Sequence, residues 1–281
     1  IYNTNIVTTV IGAIGGGTNL TFSGNPGRTI TLAGANTYTG STSVASQSAA
    51  GPFTVVAPVL ANSNSPSSLG AGSLINMGNQ GVLKYTGAGA DSDRTWTISG
   101  TATIDNDGSG ALNLTGPLSF VAGGVADVLT LGGSSGATST WSGALSGAGD
   151  ILVDGAGTWE LRGTNTHSGR LAVNNGTLSA GSAEAFGTTT AITIDGGTLD
   201  LNGFDLQAQS LSGNGGALVL DTATLTLNDA TGNTSYAGSI SGDGGLTKLG
   251  LSTQTLSGAN TYTGATTIGG GTLALNFAGT G

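Results

Sequence analysis

The residues that could carry chemistry in this sequence are few, and the single histidine, His167, is the first of them. An imidazole that titrates near neutral pH can act as a general base. The chain has no cysteine and no second histidine, so neither a catalytic triad nor a histidine- or cysteine-based metal site can be assembled. His167 also occupies the slot that Tyr38 and Tyr262 hold in two similar stretches of the chain. This correspondence favours a structural position in a wall or a turn.

Two pairs of aspartates are the next candidates: Asp91 with Asp93, and Asp105 with Asp107. Carboxylates two positions apart on a strand share a face, and such a pair could bind calcium or act on a glycosidic bond. Asp105 opens the run DNDGSG, which resembles part of a calcium loop but lacks the remaining ligand positions and the distal glutamate. Most aspartates of the chain stand beside glycine or asparagine, as turn residues do. Turn chemistry is therefore the interpretation that we favour for both pairs.

Four large aromatic residues raise the question of a sugar-binding wall: Tyr85, Trp96, Trp141 and Trp159. Rings exposed on one wall could form a platform on which a sugar stacks. In a repetitive fold, rings of this size more commonly fill the core or cover an end. We therefore predict interior positions and keep the platform as the alternative.

An asparagine recurs at one position of three similar stretches, as Asn36, Asn165 and Asn260. Asparagine at a fixed slot of a repeat typically makes a turn or stacks into a ladder of side-chain amides. A structural role is accordingly predicted. No residue is then predicted to be catalytic, cofactor-binding or metal-ligating, and we predict that the protein is not an enzyme and uses no cofactor.

The stretches that contain these asparagines are copies of one sixteen-residue pattern. Residues 29–44 read TITLAGANTYTGSTSV, residues 158–173 read TWELRGTNTHSGRLAV, and residues 253–268 read TQTLSGANTYTGATTI. In each copy, apolar residues alternate on both sides of a Gly-x-Asn step, which predicts strand, turn, strand.

The residues before each copy repeat as well. Residues 141–161 align with residues 236–256 without a gap, and the opening of the chain fits the same frame. Repeats at a fixed register indicate stacked units that bury a shared core. We predict one solenoid over residues 1–281, with modules at about residues 10–44, 141–173 and 236–275.

The composition is that of a folded β protein that avoids long helices. Glycine contributes 53 of the 281 residues, and charged residues make up only 7% of the chain. Soluble amphipathic helices need more charge on their wet faces than this, whereas alternating Thr, Ile, Val and Leu separate the chain from disordered ones. The formal net charge of -9 and the absence of a basic cluster argue against a nucleic-acid partner. No run reaches the roughly eighteen apolar residues needed to cross a bilayer.

The region between the first two copies is the least regular. Residues 46–68 hold three of the five prolines, Pro52, Pro58 and Pro66. Because proline cannot donate to a central ladder, we predict a loop insertion at about residues 46–68. Further along, Asn175-Gly176 has the composition of a tight hairpin turn.

Many short strands with frequent glycines are compatible with a sandwich, a barrel, a propeller or a solenoid. Most breaks are single Gly or Gly-x-Gly steps, which bend a strand onto a new face. Runs such as ITIDGGTLDL place an aliphatic residue at every second position, so one face is continuously apolar. Together with the repeats, these features predict an all-β fold, a parallel β-helix with turns spaced by roughly 4.8 Å.

Residues 246–275, LTKLGLSTQTLSGANTYTGATTIGGGTLAL, closely resemble the autotransporter-associated β-strand repeat. This copy departs from the family pattern at Leu251-Ser252, where a Gly-rich pair is usual, and at Gln254, in a slot that is usually apolar. The resemblance covers nearly all of the chain except residues 46–68 and the first few residues. It implies a right-handed parallel β-helix in a secreted or surface-displayed bacterial protein. It implies no catalytic residue.

Three functions follow as hypotheses. The leading one is a non-enzymatic structural segment of a bacterial cell-surface or extracellular fibre, acting as a rigid stalk or filament subunit. The second is an adhesin or glycan-binding passenger whose contact surface is the insertion at 46–68, since loops on rigid scaffolds commonly carry binding. The third is a polysaccharide-degrading β-helix enzyme that uses Asp91 or Asp105.

The partners and location follow from the same interpretation. The chain begins inside a lead-in and ends just past a signature, and unpaired strand edges template further pairing. We therefore expect a homo-oligomer that associates head to tail, or continuation into a longer repeat chain, with a glycan or host surface as a ligand. The expected location is extracellular or on the cell surface, with no signal sequence in the chain as given.

Overall fold

The computed structural model describes residues 2–3, 7–10, 12–121, 127–188, 191–229 and 232–276. Over these residues the chain contains no helix, and its parallel strands wind into a β-solenoid of about 12 turns. The predicted all-β parallel β-helix is therefore confirmed. Within the same ranges there is accordingly no helix of the length and apolarity that a membrane span requires.

The strands are short and are separated by single turns or bends. In the first half of the described chain they are β1 (Tyr2–Asn3), β2 (Val7–Val10), β3 (Leu20–Gly24), β4 (Thr29–Leu32), β5 (Thr42–Ser46), β6 (Phe53–Ala57), β7 (Leu74–Gly78), β8 (Gly81–Tyr85), β9 (Ala90–Ser92), β10 (Thr95–Ser99), β11 (Thr101–Asn106), β12 (Leu112–Leu114), β13 (Leu118–Phe120), β14 (Asp127–Gly133) and β15 (Ser139–Trp141).

In the second half the strands are β16 (Leu145–Ser146), β17 (Gly149–Leu161), β18 (Leu171–Ala180), β19 (Ala191–Ile194), β20 (Thr198–Asp200), β21 (Leu206–Ala208), β22 (Ser210–Ser212), β23 (Ala217–Val219), β24 (Thr224–Asn228), β25 (Thr234–Tyr236), β26 (Ser239–Ser241), β27 (Gly245–Leu249), β28 (Thr253–Leu256), β29 (Thr266–Ile268) and β30 (Thr272–Leu275).

Every ladder between these described strands is parallel, and four sheets form the walls. One wall runs β1-β3-β5-β7-β10-β13-β16, and a second runs β2-β4-β6-β8-β11-β14-β17-β18-β20-β23-β26 with side branches. Two smaller walls near the C-terminal end run β21-β24-β27-β29 and β25-β28-β30. Parallel strands without helical crossovers require the chain to circle back to the same wall, which is what a solenoid does.

The length of a turn varies along the chain, for example between 20 residues and 33. Asn165 bonds to Leu145 across a separation of 20 residues, and Thr97 bonds to Asn76 across 21. The turn that contains residues 58–73 is longer, since Asn79 bonds to Ser46 across 33 residues. Extra residues are thus accommodated outside the wall without changing its register.

Aliphatic side chains stack along the inside of the solenoid. Strand β11, for example, alternates exposed or half-buried positions with the buried Ala102, Ile104 and Asn106. Ladder pairings align eight buried residues of successive turns into one column: Ile30, Val55, Leu83, Ile104, Leu131, Val153, Val173 and Ile194. Burying each such side chain contributes about 1.5–3 kcal/mol, and no single turn could bury its own share alone.

The structure corrects the prediction of a loop at residues 46–68. Residues Phe53–Ala57 form strand β6, with Phe53, Val55 and Ala57 buried, and β6 pairs with β4 and β8. Pro52 and Pro58 flank the strand and do not interrupt its ladder, so these prolines are compatible with a strand. The irregular part is residues 58–73, which we call the excursion.

The hairpin expected at Asn175-Gly176 is also wrong. Both residues lie within β18, which continues parallel to β17 with register shifts near Asp154. Gly176 has a φ of 70°, and a Cβ at this position would lie 2.0 Å from the carbonyl oxygen of Gly155. The Asn-Gly step therefore bends the strand around a corner of the solenoid, where only glycine fits against the preceding turn.

Several aspartates and asparagines connect one turn to the next. In each case a side-chain oxygen accepts a hydrogen bond from a backbone N–H about one turn later in the chain. The pairs are Asn19 with Ser41, Asp150 with Arg170, Asp195 with Asn214, Asp205 with Thr224, and Asn233 with Thr253, at 2.7–3.0 Å. These side chains therefore bond to backbone N–H groups at the corners of the solenoid, where no neighbouring strand accepts from them. This role joins two turns, whereas the sequence neighbours of these residues predict only a local turn.

Gln254, which departs from the family pattern, is buried in the interior. Its amide nitrogen donates to the Leu211 carbonyl at 2.9 Å, and its oxygen accepts from the Thr234 hydroxyl at 2.8 Å. The polar side chain thus serves backbone and hydroxyl groups of earlier turns, which explains how it is tolerated in a slot that is usually apolar.

Candidate functional site

His167 lies inside the solenoid and is only 1% exposed. Burial lowers its pKa from 6.5 to about 4, and within the described part of the chain its Nδ1 has no hydrogen-bond partner. The matching Tyr38 is also buried, with its hydroxyl 2.8 Å from Oγ1 of Thr42. A buried neutral ring whose Nδ1 makes no hydrogen bond to the described residues is a wall residue, as the repeat alignment predicts.

Asp91 and Asp93 share an exposed outer face, but each is bonded to a different part of the protein. The carboxylate of Asp91 accepts a 2.8 Å bond from the amide of Asn113 on the next turn. The carboxylate of Asp93 accepts from the Ser63 backbone N–H at 2.6 Å, and its own N–H donates to the Asn62 side chain. The pair therefore braces the wall and the excursion.

Asp105 and Asp107 also share a face, where Lys84 joins them. Lys84 Nζ lies 2.7 Å from Asp107 Oδ2, and the hydrogen bond from this ammonium holds the pKa of Asp107 below its usual range. Burial raises the pKa of Asp105, and the neighbouring Asp107 raises it further. Among the described residues, no group of three or more His, Cys, Asp or Glu is arranged to hold a metal ion. The Asp107 carboxylate is thus paired with the Lys84 ammonium, and the Asp105 carboxylate is partly buried beside this pair.

The aromatic residues are interior, so no sugar platform exists at these positions. Trp96, Trp141, Trp159 and Tyr85 are each at most 1% exposed. Trp96 and Trp141 meet edge to face, with ring centroids 5.8 Å apart. The Trp141 indole N–H donates to the carbonyl of Gly116. They fill the core, as predicted.

The recurring asparagines form bridges between turns. Asn165 accepts from the backbone N–H of Leu145 at 2.8 Å and donates to the carbonyl of Ala185 at 2.6 Å. Asn36 does the same between Ile14 and Ser68.

Among the described residues, Asn260 makes only the first of these two bonds between turns, accepting from the backbone N–H of Ile240 at 3.0 Å. Its amide nitrogen donates to Gly258 within its own turn. The slot is structural, and its second bond depends on a following turn.

The excursion is held rigidly against the wall by Arg94. This buried guanidinium donates to five oxygens of the excursion: Ala61 O, Ser65 O, Ser67 Oγ, Leu69 O and Gly70 O, at 2.6–3.4 Å. Leu60 and Leu69 are buried beneath it. Val59 is 45% exposed, and Asn62, Asn64 and Pro66 are exposed as well. The excursion therefore presents a fixed outer surface.

A concave surface of about 470 Å³ lies between the turn at residues 181–188 and strand β21. We call it the polar groove. Its lining includes the backbone of Gly187 and the polar side chains of Thr188, Asp205, Gln207, Gln209 and Asn228. None of the sequence patterns predicts this groove. A turn length of about 20 residues predicts that Gly187 lies beside Gln207. The polar residues around Gln207 are those of any exposed strand, so they do not predict a concave surface.

Comparison with known proteins agrees with this architecture. The profile of the Passenger-associated-transport-repeat family matches residues 28–46, 153–180 and 246–275. Each of these ranges contains one of the three asparagine-bearing copies.

A curated relative covers nearly the whole chain. It is the "Adhesin BmaC autotransporter" of Brucella suis biovar 1 (strain 1330), which is 44% identical over 266 residues. The match includes 93% of this chain and 7% of the relative, so the chain spans a small part of that protein's length. No solved structure matches the chain.

Proposed function

We propose that this chain is a non-enzymatic segment of an adhesive surface protein. The premise is its homology to an autotransporter adhesin and its match to the passenger-associated repeat family. The observation that carries the proposal is the 44% identity to an adhesin across 93% of the chain. An adhesin passenger acts outside the cell, and an extracellular or cell-surface location follows from the same homology. Neither the family name nor the relative's name describes an enzyme.

The solenoid supplies a rigid support for adhesion. Parallel ladders, the interior aliphatic column and the asparagine bridges tie each turn to its neighbours. A segment of this kind separates an adhesive surface from the cell that displays it. We assign it the role of a stalk within the passenger.

We assign the adhesive contact to the exposed surface of the excursion, formed by Val59, Asn62, Asn64 and Pro66. A loop fixed on a rigid scaffold loses little conformational entropy when it binds. The buried Arg94 provides that rigidity, because five of its hydrogen bonds end on this segment or beside it.

Adhesion of host cells to surfaces coated with the purified chain tests this proposal. The triple variant Val59→Ser, Asn64→Gly, Pro66→Ser changes the contact surface and keeps β6 intact, and glycine at 64 accepts the local φ of 63°. We expect cell binding to fall to background in this variant. Equal binding by the variant, with an unchanged circular dichroism spectrum, would reject the excursion as the contact. Absence of binding by the unaltered chain would reject adhesion by this segment.

A second role that we propose is that of a filament subunit whose copies associate head to tail, since unpaired strand edges template pairing with another strand. Ile268 and Leu275 are 55% and 53% exposed, and a strand of another copy or of a longer chain would cover them. Analytical ultracentrifugation over a range of concentrations tests self-association, and a monomer at every concentration would contradict it.

A further inference from the structure

We propose that the polar groove is a binding site for a neutral oligosaccharide. This inference goes beyond the proposed function, which assigns no chemical class of ligand and places the adhesive contact on the excursion. The groove lies on a different part of the chain, between residues 183–188 and strand β21. It can therefore be tested separately.

The groove exists because one turn of the solenoid leaves its wall. Strand β21 pairs with β24 on one side and is the first strand of its sheet over the described residues. One turn earlier in the chain, residues 181–188 form turns and bends where a wall strand would otherwise lie. The gap between them has a volume of about 470 Å³, within the range of about 300–1,000 Å³ typical of small-ligand sites.

The side chains that line the groove offer both donors and acceptors. Gln207 is exposed on β21, and Gln209 is exposed in the bend just after it. Neither amide has a hydrogen-bond partner among the described residues. Asp205 uses Oδ1 to accept from the Thr224 N–H at 2.7 Å, and its other oxygen remains available to a ligand. Asn228 and Thr188 add an exposed amide and a hydroxyl.

This set of groups matches a sugar better than other ligands. An amide donates and accepts in one plane, and a carboxylate accepts two bonds, so neighbouring hydroxyls of a pyranose ring can be bound in pairs. None of the described residues that line the groove is a lysine or an arginine, and the chain carries a formal net charge of -9, which disfavours anionic ligands.

A peptide added to the edge of β21 is disfavoured by the same lining. Peptide recognition at a strand edge relies on pockets for alternate side chains. Of the apolar residues that line the groove, Leu206 and Ala208 are 8% and 3% exposed. Ala183 is exposed, but a single methyl group does not form a pocket for a side chain.

Gly187 lets the backbone that lines the groove lie directly against the buried His167. Its φ is 57°, and a Cβ there would lie 2.5 Å from the carbonyl oxygen of His167 and 2.9 Å from its Nδ1. A side chain at this position would therefore be strained and would collide with the buried ring. The back of the groove is consequently formed by backbone.

Isothermal titration of the full chain with neutral hexasaccharides of glucose, galactose, mannose and N-acetylglucosamine tests the proposal. We expect at least one of them to bind and the double variant Gln207→Ala, Gln209→Ala to weaken that binding by about tenfold or more. Gln207→Trp, which fills the groove, should abolish it. The matched control is Gln47→Ala, an exposed glutamine outside the groove, which should leave binding unchanged.

Three results would overturn the proposal: no binding to any of the four sugars, unchanged affinity in both groove variants, or preferential binding of a peptide or an anionic sugar. Circular dichroism confirms that each variant is folded. The cell-adhesion assay separates this inference from the proposed function. If the groove variants lose sugar binding but still adhere to cells, both proposals stand and the groove is not the adhesive contact. If the unaltered chain binds sugar but does not adhere to cells, only the groove proposal stands.

Discussion

The side-chain oxygen of Asn165 accepts a 2.8 Å hydrogen bond from the backbone N–H of Leu145, one turn earlier in the solenoid. The other end of the same amide donates to Ala185, one turn later. A single side chain therefore satisfies backbone groups on two neighbouring turns, which a turn-forming asparagine would not do.

This relationship predicts unequal costs for the same substitution in two copies of the repeat. Asn165→Ala should lower the free energy of unfolding by about 2–3 kcal/mol, because it leaves two backbone groups without partners. Asn260→Ala should cost about 1 kcal/mol, because only its bond to Ile240 joins two turns. Urea unfolding measures both, and equal losses would contradict the bridging role.

His167 should make the fold sensitive to acid. Burial lowers its pKa from 6.5 to about 4, so between these values the unfolded chain binds a proton that the folded chain does not. Its contribution to stability is complete above pH 6.5 and is lost as the pH falls towards 4, by about 3 kcal/mol.

The variant His167→Phe should lose this part of the pH dependence. In the first copy the Tyr38 hydroxyl bonds to Thr42, four residues later, whereas the residue four positions after His167 is Leu171. A tyrosine hydroxyl at 167 would lack this partner, so phenylalanine is the suitable aromatic replacement. Urea unfolding at about pH 7.5 and about pH 4.5 provides the measurement. The same loss of stability in both proteins at low pH would show that other groups are responsible.

Asp105 and Asp107 should respond oppositely to neutralisation. The pKa of Asp107 is lowered by its hydrogen bond with Lys84, so its stabilisation is present above the unfolded pKa of about 3.9 and is lost as the pH falls. The pKa of Asp105 is raised by burial, so its ionisation destabilises the fold as the pH rises above about 3.9.

We therefore expect Asp105→Asn to raise the melting temperature at neutral pH and Asp107→Asn to lower it. Each change corresponds to about 0.5–1 kcal/mol, because both carboxylates retain contact with solvent. Differential scanning calorimetry at neutral pH and at about pH 3 provides the comparison. Both differences should shrink at the lower pH, and changes of the same sign would refute the assignment.

Arg94→Met should release the excursion. The substitution leaves several buried carbonyl oxygens without donors, at a cost of about 2–4 kcal/mol. Thermolysin, which cleaves before Leu and Val, should then cut near Leu60 or Leu69. Arg170→Met is the control, since Arg170 is exposed and its guanidinium lies 3.6 Å from Asp150. Equal digestion of the two variants would show that Arg94 does not hold the excursion.

The repeat and the alternation of apolar residues were sufficient to predict the fold, because a residue of one copy occupies the same position in the others. Trp141 and Tyr236, aligned by the repeat, are both fully buried. The same alignment predicted that His167 lies in a wall. The burial of a residue can therefore be predicted from the sequence where the repeat aligns it with residues of the other copies.

The errors arose where local chemistry was read without the neighbouring turn. Asn175-Gly176 has hairpin composition, but the ladder with β17 continues through it and prevents a reversal. Pro52 and Pro58 suggested a loop, but they lie just outside the five residues of β6. The polar groove escaped notice for a related reason: its two sides are about a turn apart, and the volume between them depends on how far residues 181–188 leave the wall.

The parallel ladders between turns have a consequence for a protein held at both ends. Their hydrogen bonds run along the solenoid axis, so a pulling force peels the terminal turn first and leaves the others intact. Each folded turn contributes about 4.8 Å to the length. Once peeled, its 20 residues extend to about 70 Å. Under load, the segment would lengthen one turn at a time and dissipate work at each step, as an extensible tether does.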